Sequence, residues 1–432
     1  MRSKVALQLR RAAARVGPLF GFALLAVALT TGRAMSSEPP GSFSQRLTVP
    51  RVAPIAKDAA TPEQQAMLAS RPDYNIYTTL AHHTELYSRW SPLGQFLLNG
   101  SSLPAREREL VMLRMGWLCQ SEYEWSQHAR IAQSGIAQGG PGLTAQDIKR
   151  IALGPQAQGW SPFDRTLLTM VDELRYDTQI SDATWQQLRG RYSVQQVIEV
   201  LYTAAQYQLV SMALNSLGVQ LDPVLKDRLP MDLPKPRLAG VPDATRLGTP
   251  RVEPVPEAQW SQRQRELIAE QLSTGRVFNL YSTLLHHPDM YEPRRKFGRY
   301  IQRESRLPPQ TRELLIMRTA WLIRSEYEWA HHVSQAKDVG FTDADLVRIA
   351  AGAKVKGWSA EHAAVLQAAD ELRREAFIAD ATWRELAKHY DTQQLVEIIF
   401  TVGGYTMTGL AINSLGIQIE PGFPRFPPPP LE

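Results

Sequence analysis

Residues 109–128 read ELVMLRMGWLCQSEYEWSQH, and residues 313–332 read ELLIMRTAWLIRSEYEWAHH. The two segments align position for position at an offset of 204 residues, and both contain the pentapeptide Ser-Glu-Tyr-Glu-Trp. Each copy carries a glutamate, a serine twelve residues later, a second glutamate three after that and a histidine four further on. Working outward, Arg46-Leu47 and Pro50-Arg51-Val52 open a unit that reopens as Arg246-Leu247 and Pro250-Arg251-Val252. Both units close on Asn-Ser-Leu-Gly, at 215–218 and 413–416. A repeat of this length is a duplicated domain, because solenoid arrays use shorter units. The first repeat spans residues 46–223 and the second 246–421, joined by an extended linker at 224–245 that holds Pro230, Pro234, Pro236 and Pro242. A proline-rich tail occupies 422–432. After the central motif the offset falls to 198, mainly because the first repeat has a Gly-rich loop at 137–143 that the second lacks.

The periodicity in each repeat is helical. Leu110, Leu113 and Trp117 share one face, and Pro104 marks the start of their helix. Thr144 and Asp147 form a capping pattern before an apolar run, and Leu167, Met170, Val171 and Leu174 recur at helical spacing. A long apolar helix follows Ser193, and alternating strand patterns are lacking. The expectation is an all-α chain of two tandem domains with six to seven helices each.

At 432 residues each half is large enough to bury its own core, and 44% hydrophobic with 21% charged residues is the composition of a globular protein. The formal charge is +5, with Arg2, Lys4, Arg10, Arg11 and Arg15 crowded at the N-terminus, so no basic stripe argues for nucleic acid. The single cysteine, Cys119, excludes an intramolecular disulfide and reads as a packing residue. The basic start, the apolar run at 16–32 and the small residues Ala34 and Ser36 form the tripartite pattern of a secretory signal. Residues 1–36 are therefore expected to be a signal peptide that exports the chain to the periplasm or medium, or else an uncleaved membrane anchor. Residues 37–45 are a polar tether.

On one helix Ser121, Glu124 and His128 share a face, and the carboxylate beside the imidazole makes a proton-transfer pair. The same spacing is also that of an ordinary surface pair. Glu109, twelve residues before Ser121, would point about a third of a turn away on a straight helix. It joins the cluster only if the chain bends, and Gly116 is a candidate bend, although the second repeat has Ala320 there. The flanks drift between copies (Cys119/Ile323, Gln120/Arg324, Gln127/His331) while Glu, Ser, Glu and His stay unchanged. His82-His83 and His286-His287 also recur. Adjacent residues on a helix face different ways, so His83 and His287 are taken as the inward members. No ligand-spacing motif supports a metal site.

The run Leu-Pro-x-x-x-Arg-Glu-Leu (103–110 and 307–314), the following Trp-Leu-x-x-Ser-Glu-Tyr-Glu-Trp-x-x-His and the upstream Asn-x-Tyr-x-Thr-Leu-x-His-His (75–83 and 279–287) resemble the carboxymuconolactone decarboxylase family, which shares its fold with the alkylhydroperoxidase AhpD. The resemblance implies an all-helical domain that assembles into trimers or hexamers, so three fused chains would give a pseudo-hexamer. The redox branch of that superfamily uses Cys-x-x-Cys-x-x-x-His with an upstream glutamate. Here the two cysteine positions are Ser121 and Glu124, and Ser325 and Glu328, which cannot exchange thiols.

The resemblance then implies the decarboxylase branch, which needs an oxyanion stabiliser and a positioned acid but no cofactor and no metal. His128 and His332 are the expected acids. Glu124 and Glu328 would orient them, and Glu109 and Glu313 would hold or relay the proton. Arg114, Arg318, Ser121, Ser325, His83 and His287 are the expected substrate contacts, with a structural ion pair as the other reading of the arginines. The expected substrate is a small carboxylated lactone or related organic acid. A binding or scaffold protein on the same fold and another proton-transfer enzyme such as a hydratase stand beside this reading, since a fold does not fix a reaction.

Overall fold

Helix starts fall where the sequence supplies a capping side chain, and they do so in register in both repeats. Thr61 with Gln64, Thr144 with Asp147 and Ser193 with Gln196 form reciprocal capping boxes, mirrored by Ser261 with Gln264, Thr342 with Asp345 and Asp391 with Gln394. The computed structural model describes residues 47–135, 142–230 and 246–427, with scattered positions from 232 to 242. The expected signal segment and tether, most of the Gly-rich loop and the end of the tail lie outside the described residues.

The first repeat comprises α1 (Pro62–Leu68), α2 (Asn75–Leu80), α3 (Thr84–Gln95), α4 (Ala105–Leu118), α5 (Glu122–Gln133), α6 (Ala145–Leu153), α7 (Pro162–Tyr176), α8 (Asp182–Arg189) and α9 (Val194–Leu217). The second comprises α10 (Gln262–Leu267), α11 (Ala269–Ser273), α12 (Asn279–Leu284), α13 (Pro288–Arg299), α14 (Pro309–Leu322), α15 (Glu326–Asp338), α16 (Asp343–Ala351), α17 (Ala360–Glu375), α18 (Asp380–Leu386) and α19 (Thr392–Leu415). No strand occurs among the described residues. Six to seven helices were expected per repeat. The excess comes from short turns and from a break at His83, whose ring caps the start of α3 and so splits one apolar run in two.

The central helices α9 and α19 are buried along nearly their whole length and pack against each other. Among the described helices α19 is long and apolar enough to cross a membrane, and it is entirely enclosed by the protein. Gly403 permits the close approach of the pair, because a Cβ there would lie 2.5 Å from Leu209 Cγ.

The closing Asn-Ser-Leu-Gly is the joint between the repeats. Gly218 and Gly416 end α9 and α19 in the left-handed region (φ 72° and 69°), where the incoming Pro-Arg-Val segment passes close by. Arg51 N–H donates to Leu217 O, and Arg251 N–H to Leu415 O, both at 2.9 Å. Asn215 Nδ2 donates to Ala376 O and Asn413 Nδ2 to Thr178 O, each at 3.1 Å across the repeat boundary. Ser216 and Ser414 accept from the N–H groups of Ile378 and Ile180 in the opposite repeat. Arg175 and Arg373 donate to each other's backbone carbonyls at 2.6 and 2.8 Å. Residue i of one half meets residue j of the other while j meets i, which is the pattern of an isologous interface made within one chain.

Candidate active site

The central motif is not one helix. α4 ends at Leu118 and α5 begins at Glu122, with Gln120 between them at φ 52°. Arg324 repeats this at φ 55°. A left-handed non-glycine residue in both copies is a strained reversal that the fold enforces. It folds Glu109 on α4 back against His128 on α5, so the bend expected at Gly116 lies instead at Gln120.

In the first repeat His128 Nδ1 lies 2.8 Å from Glu109 Oε2 and Nε2 lies 3.2 Å from Glu124 Oε1. All three side chains are buried. Burial alone would favour the neutral ring, but the two carboxylates outweigh it and push the His128 pKa up to about 10. An imidazole with a carboxylate at each nitrogen is a locked imidazolium.

The second repeat differs. His332 Nδ1 lies 2.8 Å from Glu313 Oε2, but Nε2 meets the Tyr405 hydroxyl at 3.0 Å. Burial pushes the Tyr405 pKa well above its usual value, so the phenol keeps its proton. Glu313 and the Tyr405 phenol thus hold the ring at its two nitrogens. Neither oxygen of Glu328 makes a hydrogen bond. Burial pushes its pKa well above the carboxylate range, with Arg294 pulling the other way. The cause is one neighbour on the central helix. A Cβ at Gly409 would lie 2.6 Å from Glu328 Oε2, and the first repeat has Ser211 at that position. The bare glycine backbone makes room for Glu328, whereas Ser211 leaves Glu124 against His128.

A cavity of about 420 Å³ lies in the second repeat, walled by Glu328, His332 and Tyr405 together with Arg294, Thr408 and aromatic rings. Glu313, Ser325, His287 and Arg318 are not among its lining residues. Glu313 therefore reaches it only through His332. Ser121 and Ser325 sit at the N-caps of α5 and α15 with their hydroxyls buried and unpartnered.

Several expected roles are corrected by this geometry. The residue that fixes the histidine through Nδ1 is Glu109 or Glu313, not Glu124 or Glu328. Arg114 donates through Nε and Nη2 to both oxygens of Asp172 at 2.6 and 2.8 Å, and through Nη1 to Ile151 O and Ala152 O at 2.9 Å. Arg318 donates through Nε to Asp370 Oδ1 at 2.6 Å and through Nη1 to Ile349 O and Ala350 O. Both arginines tie down the end of a helix, which is the structural ion pair that was the other reading of them. His83 and His287 do point inward, but toward the opposite repeat. His83 Nε2 donates to Glu397 at 3.0 Å and His287 Nε2 to Glu199 at 2.6 Å, while each Nδ1 accepts a backbone N–H at its own helix start. They are latches between repeats. Cys119 is buried in the core.

The residues that sequence reading missed are Arg294, Tyr405, Thr408 and His331. His331 pairs with Glu420 at 2.7 Å and stacks between Tyr327 and Phe423 at the cavity wall. A position-by-position comparison of the repeats carried the signal, since Trp90 stands opposite Arg294, Val210 opposite Thr408 and Gln127 opposite His331.

Comparison with known proteins adds a family. A model described as "Carboxymuconolactone decarboxylase family" matches residues 84–153 and 288–371. Among curated proteins, none matches. Three solved structures are similar at low identity. The debrominase Bmp8 in complex with 2,3,4-tribromopyrrole is 15% identical over 41% of this chain and 95% of its own, with a TM-score of 0.34. An alkylhydroperoxidase AhpD core protein, an uncharacterized peroxidase-related protein from Ralstonia eutropha JMP134, is 18% identical over 43% of this chain and 97% of its own, at 0.35. An uncharacterized peroxidase-related protein from Silicibacter sp. TM1040 is 14% identical over 45% and 100%, at 0.34.

Proposed function

We propose that this chain, matched in both repeats by the carboxymuconolactone decarboxylase family model, is an exported, cofactor-independent acid–base enzyme, a lyase or isomerase acting on a small carboxylated lactone or related organic acid. One observation carries the reading. In the second repeat the chain Glu313–His332–Tyr405 ends at a cavity whose wall also holds a buried Glu328 that makes no hydrogen bond and whose pKa burial raises.

Decarboxylation of a γ-lactone leaves the bonding pair of the lost carboxylate in the ring, delocalised onto the lactone oxygen as a dienolate. That oxyanion needs a hydrogen-bond donor, and the carbon that receives the pair needs a proton. The Tyr405 hydroxyl, turned from His332 toward the cavity, supplies the first, and Glu328, whose pKa burial raises, supplies the proton. The carboxylate left on Glu328 is reprotonated from solvent once carbon dioxide and product have left, while Glu313 and His332 position Tyr405. The locked imidazolium of His128 is a weaker acid, with a pKa near 10, so the second repeat is the better matched to acid–base work near neutrality. Export rests on the pattern of residues 1–36, and assembly of three chains into a pseudo-hexamer is part of the same proposal.

The test is release of carbon dioxide from carboxymuconolactone and simple analogues by the purified chain. His332→Ala should lower kcat/KM by about 10²–10⁴-fold. Full activity in the His128→Ala/His332→Ala double variant would remove the acid assignment. A binding role without turnover is favoured by the ion-locked first copy, and tight binding with no product by any route, including hydration, would select it.

A further inference from the structure

Arg294 stands on the inner face of α13, only 8% exposed, and lines the second-repeat cavity. Its guanidinium donates to Thr408 Oγ1 at 3.1 Å, and no carboxylate among the described residues forms an ion pair with it. Other arginines buried in this protein are answered. Arg114 and Arg318 have aspartates, and Arg175 and Arg373 have helix-end carbonyls. A guanidinium stays ionised at any physiological pH, and burying it without a counter-charge is costly. Glu328 shares the wall, but neither of its oxygens makes a hydrogen bond to the guanidinium.

The rest of the lining adds to the same balance. Arg295, Arg299 and Arg303 gather on Glu270, with Glu304 also answering Arg299, and Glu270 and the three arginines line the cavity. An excess of fixed positive charge at a cleft raises the local concentration of anions. Phe278, Tyr281, Phe297 and Phe423 also line it and offer flat apolar walls.

We propose that this cavity is a single-anion site, in which Arg294 and Thr408 hold one carboxylate of a small cyclic organic acid whose body lies against the aromatic walls. The held carboxylate is a spectator. Ion pairing stabilises it as an anion, so any group that leaves is a different one, placed toward Tyr405 and Glu328. Arg294 is then a specificity-determining residue, and the second repeat is the one that takes the ligand. The first repeat has Trp90, Val210 and Gln206 where the second has Arg294, Thr408 and Gly404, and Trp90 Nε1 donates to Gln206 Oε1 at 3.3 Å. The inference rests on the acid–base reading for the fate of the ligand but not for its capture.

The experiment is calorimetric titration of the full chain with benzoate, a flat monocarboxylate, and with benzamide, its neutral counterpart. Benzoate should bind and benzamide should bind at least ~30-fold more weakly. Arg294→Met should abolish the discrimination and, without ligand, raise the melting temperature, because it removes a buried unanswered charge. Arg294→Lys should keep part of the preference, and Thr408→Val, which carries the first repeat's residue, should weaken benzoate several-fold. These two variants serve if Arg294→Met does not fold. Benzoate binding that is absent in the wild type, equal to benzamide, or unchanged in the arginine variants overturns the site. Turnover is not read here, so a failed acid–base reading leaves the result intact. Conversely, full turnover in Arg294→Met removes the anchor and leaves the acid–base reading standing.

Discussion

In the first repeat His128 lies between two carboxylates, Glu109 and Glu124. In the second, His332 lies between Glu313 and the Tyr405 hydroxyl, and Glu328 stands apart without a hydrogen bond. The four motif residues are identical, so the motif does not decide the protonation state. What decides it is the helix packed over the motif. Ser211 of α9 denies Glu124 the space that Gly409 of α19 gives Glu328. The first arrangement fixes a charge, whereas the second leaves a raised, unbonded carboxyl beside a cavity.

The largest way to test that contrast is to remove each histidine. His128→Ala leaves Glu109 and Glu124 facing each other in buried space and should cost about 3–5 kcal/mol of unfolding free energy. His332→Ala strands only Glu313, which keeps Arg312 at 3.7 Å, and should cost distinctly less. Equal losses in denaturant unfolding would erase the distinction.

A second test uses pH. His128 has a folded pKa raised to about 10, so the stability it contributes is complete below its unfolded value of about 6.5 and is lost as pH rises toward 10. Glu328 is also raised, so its protonated form costs nothing below its unfolded value of about 4.3 and is a growing burden above it. Glu328→Gln should therefore match the wild type in acid and exceed it near neutrality. His128→Gln should run the other way, with its deficit largest below pH ~6.5 and shrinking on the alkaline side. Parallel curves for the two variants would break the contrast.

The smallest effect sharpens its cause. Gly409→Ser gives the second repeat the first repeat's residue, and its Cβ would displace Glu328 toward His332. The His332 pKa, followed by NMR, should rise, and kcat/KM should fall about tenfold. An unmoved His332 would show that Gly409 does not set the position of Glu328.

The fold was legible because its signals are local. Thr144, Ser193 and Pro104 mark helix starts by side-chain chemistry, and the apolar spacing of α4 and α7 needs no distant partner. The site was legible only as far as its motif. Nothing local announces that Gln120 takes a left-handed backbone, since glutamine does so only where tertiary packing compels it. Arg114 looked like a ligand contact because its partner, Asp172, is 58 residues away and on another helix. His83 and His287 were read correctly as inward but without the carboxylates of the other repeat, which only the docked structure supplies. Arg294 was visible as a difference between copies, yet a tryptophan-to-arginine exchange has no meaning until a cavity is known to lie beneath it.

The reciprocal joint at the two Asn-Ser-Leu-Gly closures has an evolutionary consequence. A homodimer built on such a joint writes every substitution twice, so a change that improves one site by weakening its neighbour is felt in both. It also comes apart on dilution. Carrying both halves on one chain removes the second copy of each change and makes the pairing independent of concentration. One half is then free to become a fixed ionic brace while the other stays hollow, and Ser211 opposite Gly409 records such a division of labour in a single pair of residues.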